Sequence, residues 1–201
     1  GDTFTVRLLG SVDSLDLLAQ HGEMPLPPYI TERLDDPDRY QTVYAREPGS
    51  AAAPTAGLHF TPELLVELQQ RGIGLAKVEL VVGLDTFKPI STDNPLDHVI
   101  HSEMYNIEPS VIEACASANR VIAIGTTAVR ALESAASSGN LSGRTNIFIT
   151  PGYEWKIVDV MLTNFHLPKT SLLLMIESFV GKRWRQLYAT AIEMEYRFLS
   201  F

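Results

Sequence analysis

Four histidines, two carboxylates, an arginine and an amide stand in short, distinctive settings along this chain. His59 ends the run Ala53-Pro54-Thr55-Ala56-Gly57-Leu58-His59, which is followed by Phe60-Thr61-Pro62. Pro54 fixes one backbone torsion and Gly57 opens conformations closed to other residues, so the loop can approach a ligand closely. Thr61 is expected to cap a helix that starts at Pro62. A loop entering a helix start collects unpaired N–H groups suited to an anion, and His59 adds a titratable imidazole beside them. An ordinary loop ahead of an amphipathic helix is the competing reading.

His98, His101 and Glu103 carry side-chain types that ligate zinc, but no His or Cys pair at helical spacing supports them, so no metal is expected. His101 and Glu103 suit acid–base work better. For His98 a hydrogen-bonded structural role is at least as good. Gly125-Thr126-Thr127 falls between a strand end and a helix start, the crevice where open α/β sheets bind ligands. Thr126 or Thr127 can cap that helix or hydrogen-bond a ligand. Arg130, one turn in, can grip a carboxylate or phosphate with two N–H groups. Glu133, three residues further, is read as Arg130's partner on the helix surface. Asn164, His166 and Lys169 follow a strand ending at Leu162. Asn164 can read an amide or base edge, His166 can exchange a proton, and Lys169 can meet a phosphate or carboxylate. The bland alternative is a loop tied together by Asn164. Tyr153 and Trp155 could stack on a purine, though aromatics so placed more often belong to a core.

The elements that must position these groups can be read from pattern. Thr3–Leu9 alternates as a strand, and Ser11 or Ser14 caps a short helix carrying Leu15, Leu17 and Leu18 up to Gly22. Pro25–Pro28 is a stiff connector, and residues 31–39 form a polar loop. A helix over 62–71 turns Leu64, Leu65 and Leu68 inward and stops at Gly72. Strands are expected at 75–82, 121–124, 145–149 and 156–162, and helices at 109–118, 126–136, 170–180 and 184–195. Strands alternating with helices imply an α/β fold with a mixed, mostly parallel sheet covered by helices.

Composition narrows the function classes. With 45% hydrophobic and 20% charged residues in 201, the chain can bury a substantial core. Cys115 is the single cysteine, which rules out an internal disulfide and fits a reducing cytoplasm. No apolar run is long enough to span a membrane, and no signal-peptide pattern is read. The net charge of −8 opposes non-specific nucleic-acid binding. A local basic patch from Lys169, Lys182, Arg183 and Arg185 remains open beside the reading that these are solvated surface. Neither a Gly-rich dinucleotide or phosphate loop nor a Gly-x-Ser-x-Gly elbow occurs.

Met24-Pro25-Leu26-Pro27-Pro28-Tyr29-Ile30, Arg39-Tyr40-Gln41-Thr42-Val43-Tyr44, the His59 loop, His98-Val99-Ile100-His101-Ser102-Glu103, Gly125–Glu133, Pro151-Gly152-Tyr153, Thr163–Lys169 and Tyr196-Arg197-Phe198 occur in series. In this order and spacing the chain resembles the S-adenosylmethionine:tRNA ribosyltransferase-isomerase family of queuosine biosynthesis, from about residue 20 to the C-terminus. The resemblance implies transfer of the ribosyl part of S-adenosylmethionine to 7-aminomethyl-7-deazaguanine in a tRNA anticodon. Epoxyqueuosine forms, and adenine and methionine leave. S-adenosylmethionine and tRNA are then the partners, and no cofactor is expected because the donor is consumed. A cytoplasmic monomer without membrane attachment is expected. By matching family positions, the resemblance points to His59, His101, Glu103 and His166 for catalysis. It points to Pro54, Thr55, Gly57, Thr126, Thr127, Arg130, Asn164 and Lys169 for binding. It also implies an α/β catalytic domain over 11–201, without its first elements, after residues 1–10 as the remnant of an inserted β-barrel.

The chain departs from the family pattern at two chemically relevant positions. A His is replaced by Val81 in Leu80-Val81-Val82-Gly83, and a Gly by Asp85 in Gly83-Leu84-Asp85-Thr86-Phe87. Losing an imidazole and a flexible glycine keeps two alternatives open: a paralogue with different S-adenosylmethionine chemistry, and a non-catalytic nucleotide- or RNA-binding derivative.

Overall fold

The computed structural model describes residues 13–22, 26–27, 29–32, 34–46, 49–83, 92 and 94–200. The expected strand at 3–9, the barrel remnant at 1–10, Pro25, Pro28 and Asp85 lie outside these residues.

One helix organises the fold. α4 (Thr126–Ser138) buries Val129, Ala131, Leu132, Glu133, Ser134 and Ala135, so it is covered nearly all round rather than along a stripe. It contacts both sheets of the fold. The first is antiparallel, with β1 (Glu79–Val81), β2 (Glu103–Asn106) and β4 (Ser142–Thr145) in the order β1-β2-β4. The second is a parallel pair, β3 (Ile122–Ile124) beside β5 (Val160–Leu162), in register from Ile122 opposite Val160 to Ile124 opposite Leu162. Leu80, Tyr105, Val111, Ala123, Ile149, Val158 and Met175 join α4 in one apolar cluster. Each large side chain so buried contributes roughly 1.5–3 kcal/mol over leaving it in water. Tyr105 brings a hydroxyl inside and satisfies it on Ser138 Oγ and the Asn140 carbonyl, both at 3.0 Å.

The remaining helices are α1 (Ser14–His21), α2 (Pro62–Gln70), α3 (Pro109–Ser117), α5 (Ser171–Val180) and α6 (Trp184–Glu193). Their starts follow the residues that favour starts. Pro62 and Pro109 sit at the first helical position, where a missing N–H costs nothing, and Thr61 Oγ1 accepts from Leu64 N at 3.2 Å. Leu65 and Leu68 of α2 are half-buried, but Leu64, expected inside, is exposed.

The pairing departs from a mostly parallel sheet: β3–β5 is parallel, and the three-stranded sheet is not. Antiparallel neighbours need no helical crossover, and no α-helix separates β1 from β2 among the described residues. Two expected strands are also shorter or displaced. The strand expected at 145–149 lies at Ser142–Thr145, where it pairs with β2 and Gly143 stands opposite Tyr105. Ile149 reaches the core from a loop instead. The strand expected over 156–162 is confined to Val160–Leu162. The N–H groups of Lys156, Ile157 and Val158 donate to the Glu133 carboxylate and not to a neighbouring strand.

Candidate active site at the rim of the parallel strand pair

β3 and β5 end side by side, and Gly125 N donates to the Leu162 carbonyl at 2.8 Å, just past both strands. This is the carboxyl end of a parallel pair, where the chain turns away and leaves a crevice. Gly125 holds φ at 87°, a conformation that β-carbons resist, and it caps α4. The cap is therefore glycine and not Thr126 or Thr127, which are the first two helical residues; a cap without a side chain leaves the first-turn N–H groups to other acceptors.

The Pro54–His59 loop packs here, with Ala56 Cβ 3.7 Å from where a β-carbon on Gly125 would sit. Thr55–His59 is a 3-10 turn in which the Pro54 carbonyl accepts from Gly57 N at 2.7 Å and the Gly57 carbonyl from Phe60 N at 3.1 Å. Gly57 is needed for space. A β-carbon there would overlap Tyr44 Oη and come within 2.9 Å of Thr42 Cγ2. With Tyr44 on one side, Gly125 on the other and the Thr61 cap behind, His59 is held at the exposed end of a braced turn.

Opposite His59 stands Asn164, 105 residues away in sequence and two past the end of β5. Asn164 Nδ2 donates to the Leu199 carbonyl at 2.9 Å and lies 3.4 Å from His59 Nε2. A carbonyl can only accept, which assigns the amide nitrogen to that side and makes His59 Nε2 the acceptor of the second bond. Asn164 Oδ1 is buried without a partner among the described residues. A cavity of about 240 Å³ opens between them, lined by His59, Thr163, Asn164, Phe165, Arg197, Leu199 and Ser200. A larger concavity along α2, lined by Pro62, Glu63, Val66, Glu67 and Gln70, is the open flank of one helix and brings no opposed groups together.

His166 does not line the cavity. Its Nε2 lies 3.4 Å from Thr163 Oγ1, its backbone N–H donates to Tyr188 Oη at 3.0 Å, and Nδ1 is buried without a partner among the described residues. Burial pushes the imidazole down to about 4, because desolvation penalises the charged form. His166 is therefore neutral near pH 7 and poorly suited to carrying a proton.

Arg130 and Glu103 form a second cluster. Arg130 Nη1 donates to Glu103 Oε2, and both side chains are largely withdrawn from water. Arg130 pairs with Glu103 rather than Glu133, the correction that the helix-surface reading requires. Two effects oppose each other at Glu103. Burial raises its carboxyl, Arg130 and then His101 pull it down, and the net direction is up. Arg130 is shifted down by burial against the pull of Glu103. Arg130 Nη2 is buried with no partner among the described residues, so toward them the guanidinium keeps an unused donor.

Glu133 is fully buried and acts as a bracket. Its carboxylate accepts from Val158 N and Ile157 N at 3.0 Å, from Lys156 N at 3.0 Å and from Tyr153 Oη at 2.9 Å. Tyr153 and Trp155 meet edge to face with centroids 5.5 Å apart and pack against the core, the non-stacking alternative for both. His98 meets Phe148 at 6.4 Å. Lys169 is exposed, with φ at 58°. Pro54, Thr55, Thr126 and Thr127 are half-buried around the rim. Among the described residues no three His, Cys, Asp or Glu are grouped to hold a metal, and no helix is long and apolar enough to cross a membrane. Arg197, in the cavity wall, and Glu133, in the bracket, are the two residues whose places pattern did not reveal. Arg197 was visible only as the centre of Tyr196-Arg197-Phe198.

Fold and site together define a mixed α/β domain with a small polar cleft at the carboxyl rim of a parallel strand pair. The chain belongs to the queuosine biosynthesis protein family, whose family model it matches over residues 2–201. It is 54% identical over 194 residues to the S-adenosylmethionine:tRNA ribosyltransferase-isomerase of Acaryochloris marina, covering 92% of this chain and 53% of that protein. The enzyme of the same name from Carboxydothermus hydrogenoformans is 52% identical over 194 residues, covering 92% and 57% respectively. The chain thus spans about half the length of the curated relatives it matches. The crystal structure of an S-adenosylmethionine tRNA ribosyltransferase from Thermotoga maritima is similar, with a TM-score of 0.60 and 36% identity over 73% of this chain and 49% of that one.

Proposed function

We propose that this chain carries the catalytic α/β part of an S-adenosylmethionine:tRNA ribosyltransferase-isomerase. The reaction is ribosyl transfer from S-adenosylmethionine to 7-aminomethyl-7-deazaguanine in tRNA, giving epoxyqueuosine with loss of adenine and methionine. The observation that carries the reading is the meeting of His59 and Asn164 across the cleft, 3.4 Å apart. Two separate family motifs converge there on one small cavity. The relatives at 52–54% identity, which bear this enzyme name, support the same reading.

The chemistry needs a base beside the sugar and an acid beside the departing adenine. A sulfonium withdraws electrons from the adjoining 5′ carbon and acidifies its protons, so a positioned base can remove one. His59 is the best-placed base, because it is an exposed imidazole in the cleft wall and only a 3.4 Å contact to Asn164 engages its Nε2 lone pair. Glu103 is the second titratable candidate, held by Arg130 and close enough to His101 to feel its charge. Arg130's spare donor and the first-turn N–H groups at Thr126 and Thr127 suit an anionic or carbonyl oxygen. His166 orders the loop that carries Asn164. Pro54, Thr55 and Gly57 shape the wall, and Lys169 is left for tRNA phosphate. Residues 1–10 as the end of an inserted barrel, and 11–201 as the catalytic domain of a protein with a mixed sheet, belong to the same proposal.

The test is adenine release from S-adenosylmethionine with and without a tRNA bearing 7-aminomethyl-7-deazaguanine. Adenine released in step with tRNA modification supports the transferase. Release indifferent to tRNA would assign the chain to different S-adenosylmethionine chemistry, and binding without release to a non-catalytic derivative.

A further inference from the structure

The cleft is too small for the whole donor. Ligand pockets usually enclose about 300–1,000 Å³, and this one holds about 240 Å³, so it takes one end of a molecule. Its walls select which end. Both amide hydrogens of Asn164 are already engaged, one by the Leu199 carbonyl and one by His59 Nε2. An asparagine that reads adenine needs a free donor and a free acceptor together, and here only Oδ1 is free. Phe165 offers no open platform either. It stacks on Phe198 at 4.8 Å and is met edge to face by Tyr188 at 5.1 Å and Tyr196 at 6.2 Å. A purine therefore finds neither its hydrogen-bond pattern at Asn164 nor an open face on Phe165.

A zwitterion finds both its partners. Arg197 lines the cavity and makes no ion pair with a described residue. Its guanidinium has only donors and its fork matches a carboxylate. Asn164 Oδ1, buried beside the cavity, is an acceptor without a donor among the described residues, which an ammonium group would supply. We infer that the Arg197–Asn164 cleft binds the α-amino acid end of S-adenosylmethionine, Arg197 holding the carboxylate and Asn164 Oδ1 the ammonium. The inference rests on the proposed use of S-adenosylmethionine. It makes Arg197 a specificity residue for the donor, and it directs the adenine away from this cleft, toward the rim at Thr126.

The full-length protein is titrated calorimetrically with S-adenosylmethionine and with its decarboxylated analogue, which keeps the adenosine, the sulfonium and the amine. Wild type binds the carboxylated donor at least tenfold more tightly. Arg197→Met weakens S-adenosylmethionine at least tenfold and leaves the analogue within twofold, and Arg197→Lys recovers part of the loss. Because Arg197 is exposed, the variants keep the thermal midpoint of wild type. Equal affinity of the two ligands for wild type, or equal weakening of both by Arg197→Met, overturns the assignment while leaving the proposed function intact. Failure of wild type to bind S-adenosylmethionine overturns both.

Discussion

Arg130 and Glu103, 27 positions apart, form an ion pair that links the second turn of α4 to the first residue of β2. Burying the pair costs both partners their hydration, and only their mutual attraction offsets that. Arg130→Met should lower stability by about 3–5 kcal/mol, because it strands a buried carboxylate. Urea denaturation of Arg130→Met, Glu103→Gln and the double variant measures this. The double variant should recover most of the loss; additive losses would mean that the two residues act separately. The sign with pH also follows. Without Arg130, the upward push of burial on Glu103 is opposed only by the smaller pull of His101. A raised folded-state value gives stability that is present at low pH and lost as pH rises through it. The deficit of Arg130→Met should therefore shrink as pH is lowered toward the ordinary carboxylate range.

His166 gives the opposite slope. Its folded-state value near 4, against 6.5 for an unhindered imidazole, means that the unfolded chain binds this proton more readily. Stability is fully present above pH 6.5 and falls as pH drops from there to 4, by on the order of 3 kcal/mol. Thermal midpoints of wild type and His166→Gln across that interval test it. The curves should diverge at neutral pH and close toward pH 4, whereas parallel curves would remove the burial argument.

Glu133 anchors residues 153–158 by four acceptor contacts to a carboxylate with no access to water. Glu133→Ala orphans three backbone N–H groups at roughly 1–3 kcal/mol each if none relaxes. Tyr153→Phe removes one contact and should cost about 1 kcal/mol. Denaturation midpoints in that order, with Glu133→Ala the most damaging single change in α4, are expected. A near-neutral Glu133→Ala would show that the loop holds itself.

These contacts mark where pattern reading ends. The helix at 126, the loop before Pro62 and the apolar strand at 122 are local properties, set by capping residues and by hydrophobic runs, and local pattern shows them. Spacing alone pairs Glu133 with Arg130, because neighbours three apart on a helix usually meet. Its true partners lie 20 to 25 residues away, and no spacing rule reports them. The same carboxylate shortened the strand expected over 156–162, since N–H groups that it captures cannot join a sheet. His59, Asn164 and Glu103 were legible as reactive types near turns. That His59 faces Asn164, while His166 turns inward, depends on the β3–β5 register and on the return of Leu199 beside the site.

Gly57 tests the bracing of the His59 turn. Gly57→Ala places a methyl group against Tyr44 Oη, so Tyr44 must shift and His59 with it. Turnover should fall at least tenfold with stability reduced by about 1–3 kcal/mol, the usual range for overpacking. Tyr44→Phe in the same chain removes the nearest obstructing atom and should restore part of the activity. No rescue would mean that the backbone, rather than Tyr44, sets the limit.

The central claim is that His59 performs the proton transfer at the cleft it shares with Asn164. Adenine release from S-adenosylmethionine by wild type and His59→Ala, in the presence of the modified tRNA, tests it most directly. His59 is exposed, so the variant should keep its stability within about 0.5 kcal/mol. Release should fall by about 10²–10⁴-fold, the usual worth of a positioned acid or base. Turnover within a few fold of wild type by a folded His59→Ala protein would contradict the account.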